Sequence, residues 1–155
     1  MPQNIVVVGG GTGGTVLANR LAEKLAPEID AGDARVTLVT DDTDHVYKPT
    51  FLYVPFGRKT VADARRPLSE LLDSRVEVEY NRVVGVDTDE KTIALQDGHR
   101  TMAYDQLVLS MGARVVPDEV PGLAEGGHHF YGPDGAETLR DALSEFTEGH
   151  LVLSV

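Results

Sequence analysis

The feature that most narrows what this chain can fold into is a run of glycines set between two differently patterned segments. Ile5-Val6-Val7-Val8 is a short β-branched run, Gly9-Gly10-Gly11-Thr12-Gly13-Gly14 follows directly, and Leu17, Ala18, Leu21, Ala22 and Leu25 then recur at helical spacing. Strand, glycine turn and helix in that order put the turn at a helix N-terminus, where unbonded N–H groups and the positive end of the helix dipole face outward. Gly9, Gly11 and Gly14 make G-x-G-x-x-G, and Ala18 supplies a small residue one helical turn later. In such a pattern the first glycine permits the tight turn, the second lets backbone approach a pyrophosphate, and the third lets helix and strand pack closely. Its context favours dinucleotide binding over a purely structural turn. No Gly-Lys-Ser/Thr follows, which excludes the phosphate-binding loop of nucleotide hydrolases.

Beyond the helix, which Pro27 is expected to end, a linker (28–33) leads to a second strand, Val36-Thr37-Leu38-Val39. This completes a βαβ unit and predicts a parallel sheet. Residues 45–66 hold Pro49, Pro55 and Gly57 with no sustained period, which predicts a long functional loop containing one helical turn. A short helix is expected through Leu68, Leu71 and Leu72, then a strand at Val76-Glu77-Val78-Glu79. Val83–Val86, Thr92–Leu95 and Thr101–Tyr104, with turn signals at Asp87-Thr88-Asp89 and Asp97-Gly98, predict a small antiparallel meander. Leu107-Val108-Leu109 reads as a buried strand. Asp134 and Glu137 have the spacing of a capping box for a last helix that would bury Leu139, Leu143 and Phe146. Leu151-Val152-Leu153-Ser154-Val155 reads as the first strand of a further unit, and an apolar strand with nothing after it would be an unpaired edge. The expectation is a truncated chain: residues 1–148 as the front of one domain, 149–155 as the start of a second.

Composition removes several classes of function. Without cysteine, thiol redox chemistry and thiolate metal sites cannot reside in these residues, so redox work would need a cofactor. The net charge of −11, with ten scattered arginines and four lysines, argues against nucleic acid as a partner. So acidic a surface with so little lysine suits high salt, where counterions screen self-repulsion; a merely acidic cytosolic protein is the other reading. No apolar stretch approaches the roughly 20 residues of a membrane-spanning helix.

Among individual residues, an acidic side chain at the end of the second strand usually takes the ribose hydroxyls. Thr40 follows Val39 here, with Asp41 and Asp42 next, and Asp41 is the preferred candidate. Adjacent His128 and His129 would point apart in an extended segment, which speaks against a shared metal. No catalytic residue can be named.

These residues together resemble a known group. Val6 to Gly14, Val36 to Val39, Tyr47-Lys48-Pro49, and Tyr104 to Gly112 followed by Pro121-Gly122 look like the pyridine nucleotide-disulfide oxidoreductase-like flavoproteins, within them most like sulfide:quinone oxidoreductases, with type II NADH dehydrogenases as near neighbours. The resemblance implies an α/β Rossmann-like FAD/NAD(P)-binding domain, in three layers (ββα) with the meander, covering the N-terminal third or so of such an enzyme. It implies FAD as cofactor, its pyrophosphate held by Gly9, Gly10, Gly11, Thr12, Gly13 and Gly14, its ribose by Thr40 and Asp41, and its adenine met by the backbone of Val83 or Val84. Lys48 and Pro49, within Tyr47 to Tyr53, would line the flavin side, although Phe51 and Tyr53 suit packing under a loop. Met111 and Gly112 would approach the cofactor at the crossover, where Ser110-Met111-Gly112 replaces the family's Ala-Thr-Gly. The implied partners are quinone and either sulfide or NADH, with homo-oligomerisation, a cytoplasmic location and peripheral association with the inner face of the cell membrane. A C-terminal segment that this chain lacks would complete the flavin site, so the chain alone would be inactive and would hold FAD poorly. Two other readings stay open: a soluble NAD-dependent dehydrogenase, which should continue into further βαβ units, and a non-catalytic nucleotide-binding module.

Overall fold

The computed structural model describes residues 2–96, 98 and 100–154. The chain divides into two compact units: residues 1–46 with 66–113, and residues 47–65 with 114–155.

The first unit is built on a four-stranded parallel sheet in the order β5-β2-β1-β9, where β1 is Gln3–Val8, β2 Ala34–Thr40, β5 Val76–Tyr80 and β9 Gln106–Leu109. Register is set by the β-branched runs: Ile5 lies beside Val36 and Gln106, and Val8 beside Val39 and Leu109. Helix α1 (Thr12–Lys24) makes the crossover from β1 to β2, with the short α2 (Ala26–Asp30) after it. Because side chains alternate across a strand, β1 serves two cores. Ile5 and Val7 pack with Ala18, Ala22, Val36, Leu38, Leu68 and Val76 on the helix side. Val6 and Val8 pack with Val39, Ile93 and Leu95 on the other. Ile93 and Leu95 belong to the antiparallel meander β6 (Val83–Asp87), β7 (Thr92–Leu95) and β8 (Thr101–Ala103). Helix, parallel sheet and meander are the three layers expected of a Rossmann-like α/β unit. A two-stranded ribbon, β3 (Asp44–Val46) with β4 (Arg65–Pro67), stands apart from both sheets.

In the second unit a 3-10 turn over Lys48–Leu52 follows a bond from the Tyr47 amide to the Ala64 carbonyl, 2.8 Å. Phe51, Val54, Pro55, Ala64 and Ala136 are buried in it. Its helices are α3 (Leu123–Gly126) and α4 (Pro133–Glu145). Phe51 is thus packed as expected, whereas Tyr53 is half exposed.

Several local expectations need correction. Pro27 does not simply end a helix: α1 stops at Lys24, and Pro27 sits in the first turn of α2, where its missing N–H costs nothing. Leu68–Glu70 is a 3-10 turn, too short for an α-helix. Helix α4 starts at Pro133 behind Gly132 with no side-chain cap, because proline's preset φ begins the helix one residue ahead of Asp134. Phe146 falls past the last turn and is exposed. Of β9, Leu107 and Val108 are only half-buried, and Leu109 is exposed. Residues 151–154 take no regular structure and are exposed, since a strand forms only with a hydrogen-bonding neighbour and no described strand pairs with them. Val155, and Asp97 of the Asp97-Gly98 turn, lie outside the described residues; Gly98 has φ +86°.

Candidate functional site

In this sheet order β1 is flanked by β2, reached through α1, and by β9, reached after the meander. The C-terminal end of β1 is therefore the topological switch point, where open parallel sheets form a crevice. Gly9 to Gly14 leave β1 there.

The glycines of this turn differ in what surrounds them. Gly9 has φ +110°, a left-handed conformation that disfavours side chains, and a β-carbon there would run into the Ser110 carbonyl. A β-carbon on Gly10 would lie 2.8 Å from Thr40 Oγ1 and 3.1 Å from Leu68 Cδ1. On Gly13 it would lie 2.7 Å from Ser110 Oγ, and on Gly14 it would collide with the Gly9 carbonyl. Gly11 alone of the five is unconstrained: its backbone is ordinarily extended (φ −72°, ψ −177°), and no protein atom lies within 4 Å of where its β-carbon would be.

The first helical hydrogen bond of α1 runs from the Thr15 amide to the Gly11 carbonyl, 3.0 Å, so the amides of Thr12, Gly13 and Gly14 precede the ladder. No side chain caps them and no acidic residue occupies the first turn. The positive end of the dipole thus keeps its full appeal to an external anion.

Around the turn, the ends of the neighbouring strands supply other groups. Thr40 closes β2, is buried, and its carbonyl accepts from the Asn81 amide at 2.8 Å. Asp41 is exposed and ion-paired, Oδ2 to Arg82 Nε at 3.2 Å. That pairing ties the end of β2 to the start of β6. Val84 is the extra residue of a β-bulge, since β6 advances from Val83 to Gly85 while β7 steps only from Leu95 to Ala94. Its side chain is exposed. Past β9, Ser110 donates its amide to the Val8 carbonyl at 2.8 Å, Met111 is exposed, and Gly112 turns with φ +73°.

Gly9 to Gly14, Thr40, Asp41 and Met111-Gly112 therefore emerge at the same end of the parallel sheet. Lys48 and Pro49 belong to the second unit, where Lys48 Nζ stands 4.2 Å over the ring of Tyr131. His129 Nδ1 accepts from the Tyr131 amide at 3.4 Å.

Sequence reasoning missed two members of the turn's surroundings. The Gly10 carbonyl accepts from Thr15 Oγ1 at 3.1 Å and meets His45 Nδ1 at 3.2 Å. Thr15 was legible in principle, lying one helical turn on. His45 was not, being 35 residues away and brought in by β3.

Comparison with known proteins agrees with this architecture. The family model described as pyridine nucleotide-disulphide oxidoreductase matches residues 3–153. The mitochondrial sulfide:quinone oxidoreductase of Mus musculus is 26% identical over 155 residues, covering 97% of this chain and 33% of that protein. The type II NADH:quinone oxidoreductase of Haemophilus influenzae is 28% identical over 136 residues, covering 79% and 30%. The crystal structure of sulfide:quinone oxidoreductase from Aquifex aeolicus shares the fold with a TM-score of 0.77 at 24% identity, covering 92% of this chain and 32% of that one. The chain spans about a third of the length of the curated relatives it matches. With a glycine turn at the switch point of a three-layer α/β unit and a family match along nearly its whole length, this chain belongs to the pyridine nucleotide-disulphide oxidoreductase family.

Proposed function

We propose that the chain forms the FAD-binding part of a sulfide:quinone oxidoreductase-like flavoprotein, with the ADP half of the cofactor on the Gly9 to Gly14 turn. The observation that carries this reading is Gly11. The protein itself explains Gly9 and Gly14, but nothing in it requires a glycine at an extended position with open space beyond. Bare backbone there suits the close approach of a pyrophosphate.

Around it, the amides of Thr12, Gly13 and Gly14 would donate to phosphate oxygens. Thr40 and Asp41 would serve the ribose, with Arg82 holding the carboxylate in place. The bulged backbone at Val83-Val84 would meet adenine, and Met111-Gly112 would face the cofactor across the crevice. The family resemblance assigns Lys48 and Pro49, which belong to the second unit, to the flavin side. When bound, FAD supplies two-electron redox chemistry, and the protein contributes binding, orientation and charge placement.

Sulfide as electron donor and quinone as acceptor rest on likeness to the mouse and Aquifex proteins. NADH as donor is the second reading, favoured by the Haemophilus relative. A membrane-dissolved quinone goes with a cytoplasmic protein peripheral to the membrane's inner face.

The test is a titration of the full-length protein with FAD, followed by flavin fluorescence, alongside circular dichroism. Gly11→Val should keep the wild-type spectrum and lose at least about tenfold in affinity, because a branched side chain would occupy the approach path. A folded Gly11→Val protein with wild-type flavin content would defeat the proposal. Quinone reduction driven by sulfide or by NADH then separates the two donors.

A further inference from the structure

The turn contains a peptide with unusual freedom. The Gly10-Gly11 unit has no β-carbon on either side, so little steric resistance opposes its rotation. Yet its carbonyl is held from two directions, by Thr15 Oγ1 at 3.1 Å and by His45 Nδ1 at 3.2 Å. A carbonyl oxygen only accepts, so the proton between it and the imidazole belongs to Nδ1. Two donors match the oxygen's two lone pairs.

A trans peptide is planar, with its N–H opposite its C=O. Holding the Gly10 oxygen therefore aims the Gly11 N–H the other way. Gly11 is also the position whose β-carbon direction no protein atom approaches. Thr15 comes from α1, the helix that the turn begins, whereas His45 reaches in from β3 and anchors the turn to a separate element.

We propose that His45 is a positioning residue for the cofactor's pyrophosphate: it locks the Gly10-Gly11 peptide so that the Gly11 amide is presented to an anionic phosphate oxygen. The proposal rests on the FAD reading above. It assigns His45 no contact with the cofactor. Nδ1 donates in the Nδ1-protonated neutral tautomer and in the imidazolium alike, so the lock requires a proton on Nδ1 rather than a charge on the ring.

The experiment measures the FAD dissociation constant of the full-length wild type, His45→Ala and His45→Asn. Asparagine places an amide donor near the position of Nδ1. His45→Ala should weaken FAD by about tenfold, the scale of one lost hydrogen bond. His45→Asn should recover to within about threefold of wild type. A residue that merely supported the fold would shift thermal melting without changing affinity per folded molecule. Should His45→Ala not fold, nitrogen-15 NMR of the wild-type imidazole keeps the question open to refutation, because a ring protonated only at Nε2 would overturn the proposal. Equal FAD affinity in wild type and a folded His45→Ala would also overturn it, as would failure of asparagine to restore binding, while leaving the FAD reading intact. A wild type with no FAD affinity would reject both.

Discussion

The carbonyl oxygen of Gly9 stands where a β-carbon on Gly14 would have to be. The third glycine of the turn therefore serves the protein's own packing: it lets the first turn of α1 lie directly against the end of β1. Gly14→Ala should force helix and strand apart and destabilise the fold by about 1–3 kcal/mol, the usual range for overpacking, or roughly 2–4 °C in melting temperature per kcal/mol. Gly11→Ala, at an extended position with room to spare, should leave the melting temperature unchanged or raise it through about 0.4–1 kcal/mol of lost unfolded-state entropy. Thermal melts followed by circular dichroism compare them. Equal losses would mean the two glycines do the same job.

The clasp between α2 and β5 gives a pH signature. Asp30 accepts from Arg75, Oδ1 to Nε at 2.9 Å, and this hydrogen bond holds the Asp30 carboxyl below its ordinary range. A carboxylate whose folded pKa is depressed contributes stability above its unfolded pKa and loses it as pH falls through the folded value. Asp30→Asn should lower the melting temperature modestly near neutrality, and the difference should vanish in acid below the carboxylate range. Asp30 is exposed and Arg75 only partly covered, so solvent screening keeps the effect small. A difference that persists unchanged into strong acid would show that the charge is not its source.

Salt should stabilise this protein. Acidic residues outnumber Lys and Arg 25 to 14, so the folded chain repels itself, and molar salt shortens the screening length to about 3 Å. Screening also weakens surface pairs such as Arg35 with Glu77 and Arg82 with Asp41, but exposed pairs of this kind contribute at most about 1 kcal/mol each. The expected net effect is a rise of roughly 2–4 °C, corresponding to about 1 kcal/mol, between low and molar salt. A midpoint that falls would mean that local pairs outweigh net repulsion and that the acidic surface is not a high-salt feature.

What was legible in the sequence, and what was not, divides by distance along the chain. The order of β1, turn and α1 follows from patterns within the first 25 residues, and the meander from alternation punctuated by turn residues. The elements that differ from expectation do so either because two local signals compete or because a strand needs a partner. At the start of α4 the Asp134–Glu137 spacing signalled a cap, but Pro133 had already begun the helix. Leu151 to Ser154 is apolar enough for a strand and forms none, because strand character is realised only in pairing.

The sequence by itself determined that a glycine turn joins an apolar strand to an amphipathic helix, and hence that phosphate-directed amides sit at the head of α1, because helix and strand periods and the absence of side chains are local properties. Only the tertiary structure decided which glycine answers to which neighbour. Gly9 is confined by Ser110, Gly10 by Thr40 and Leu68, and Gly14 by Gly9, while Gly11 is left open. It likewise decided that Asp41 meets Arg82 and that His45 meets Gly10. His45 and Gly10 are 35 residues apart in sequence, and these partners meet because parallel strands bring their C-terminal ends to one end of the sheet, a constraint no local pattern encodes.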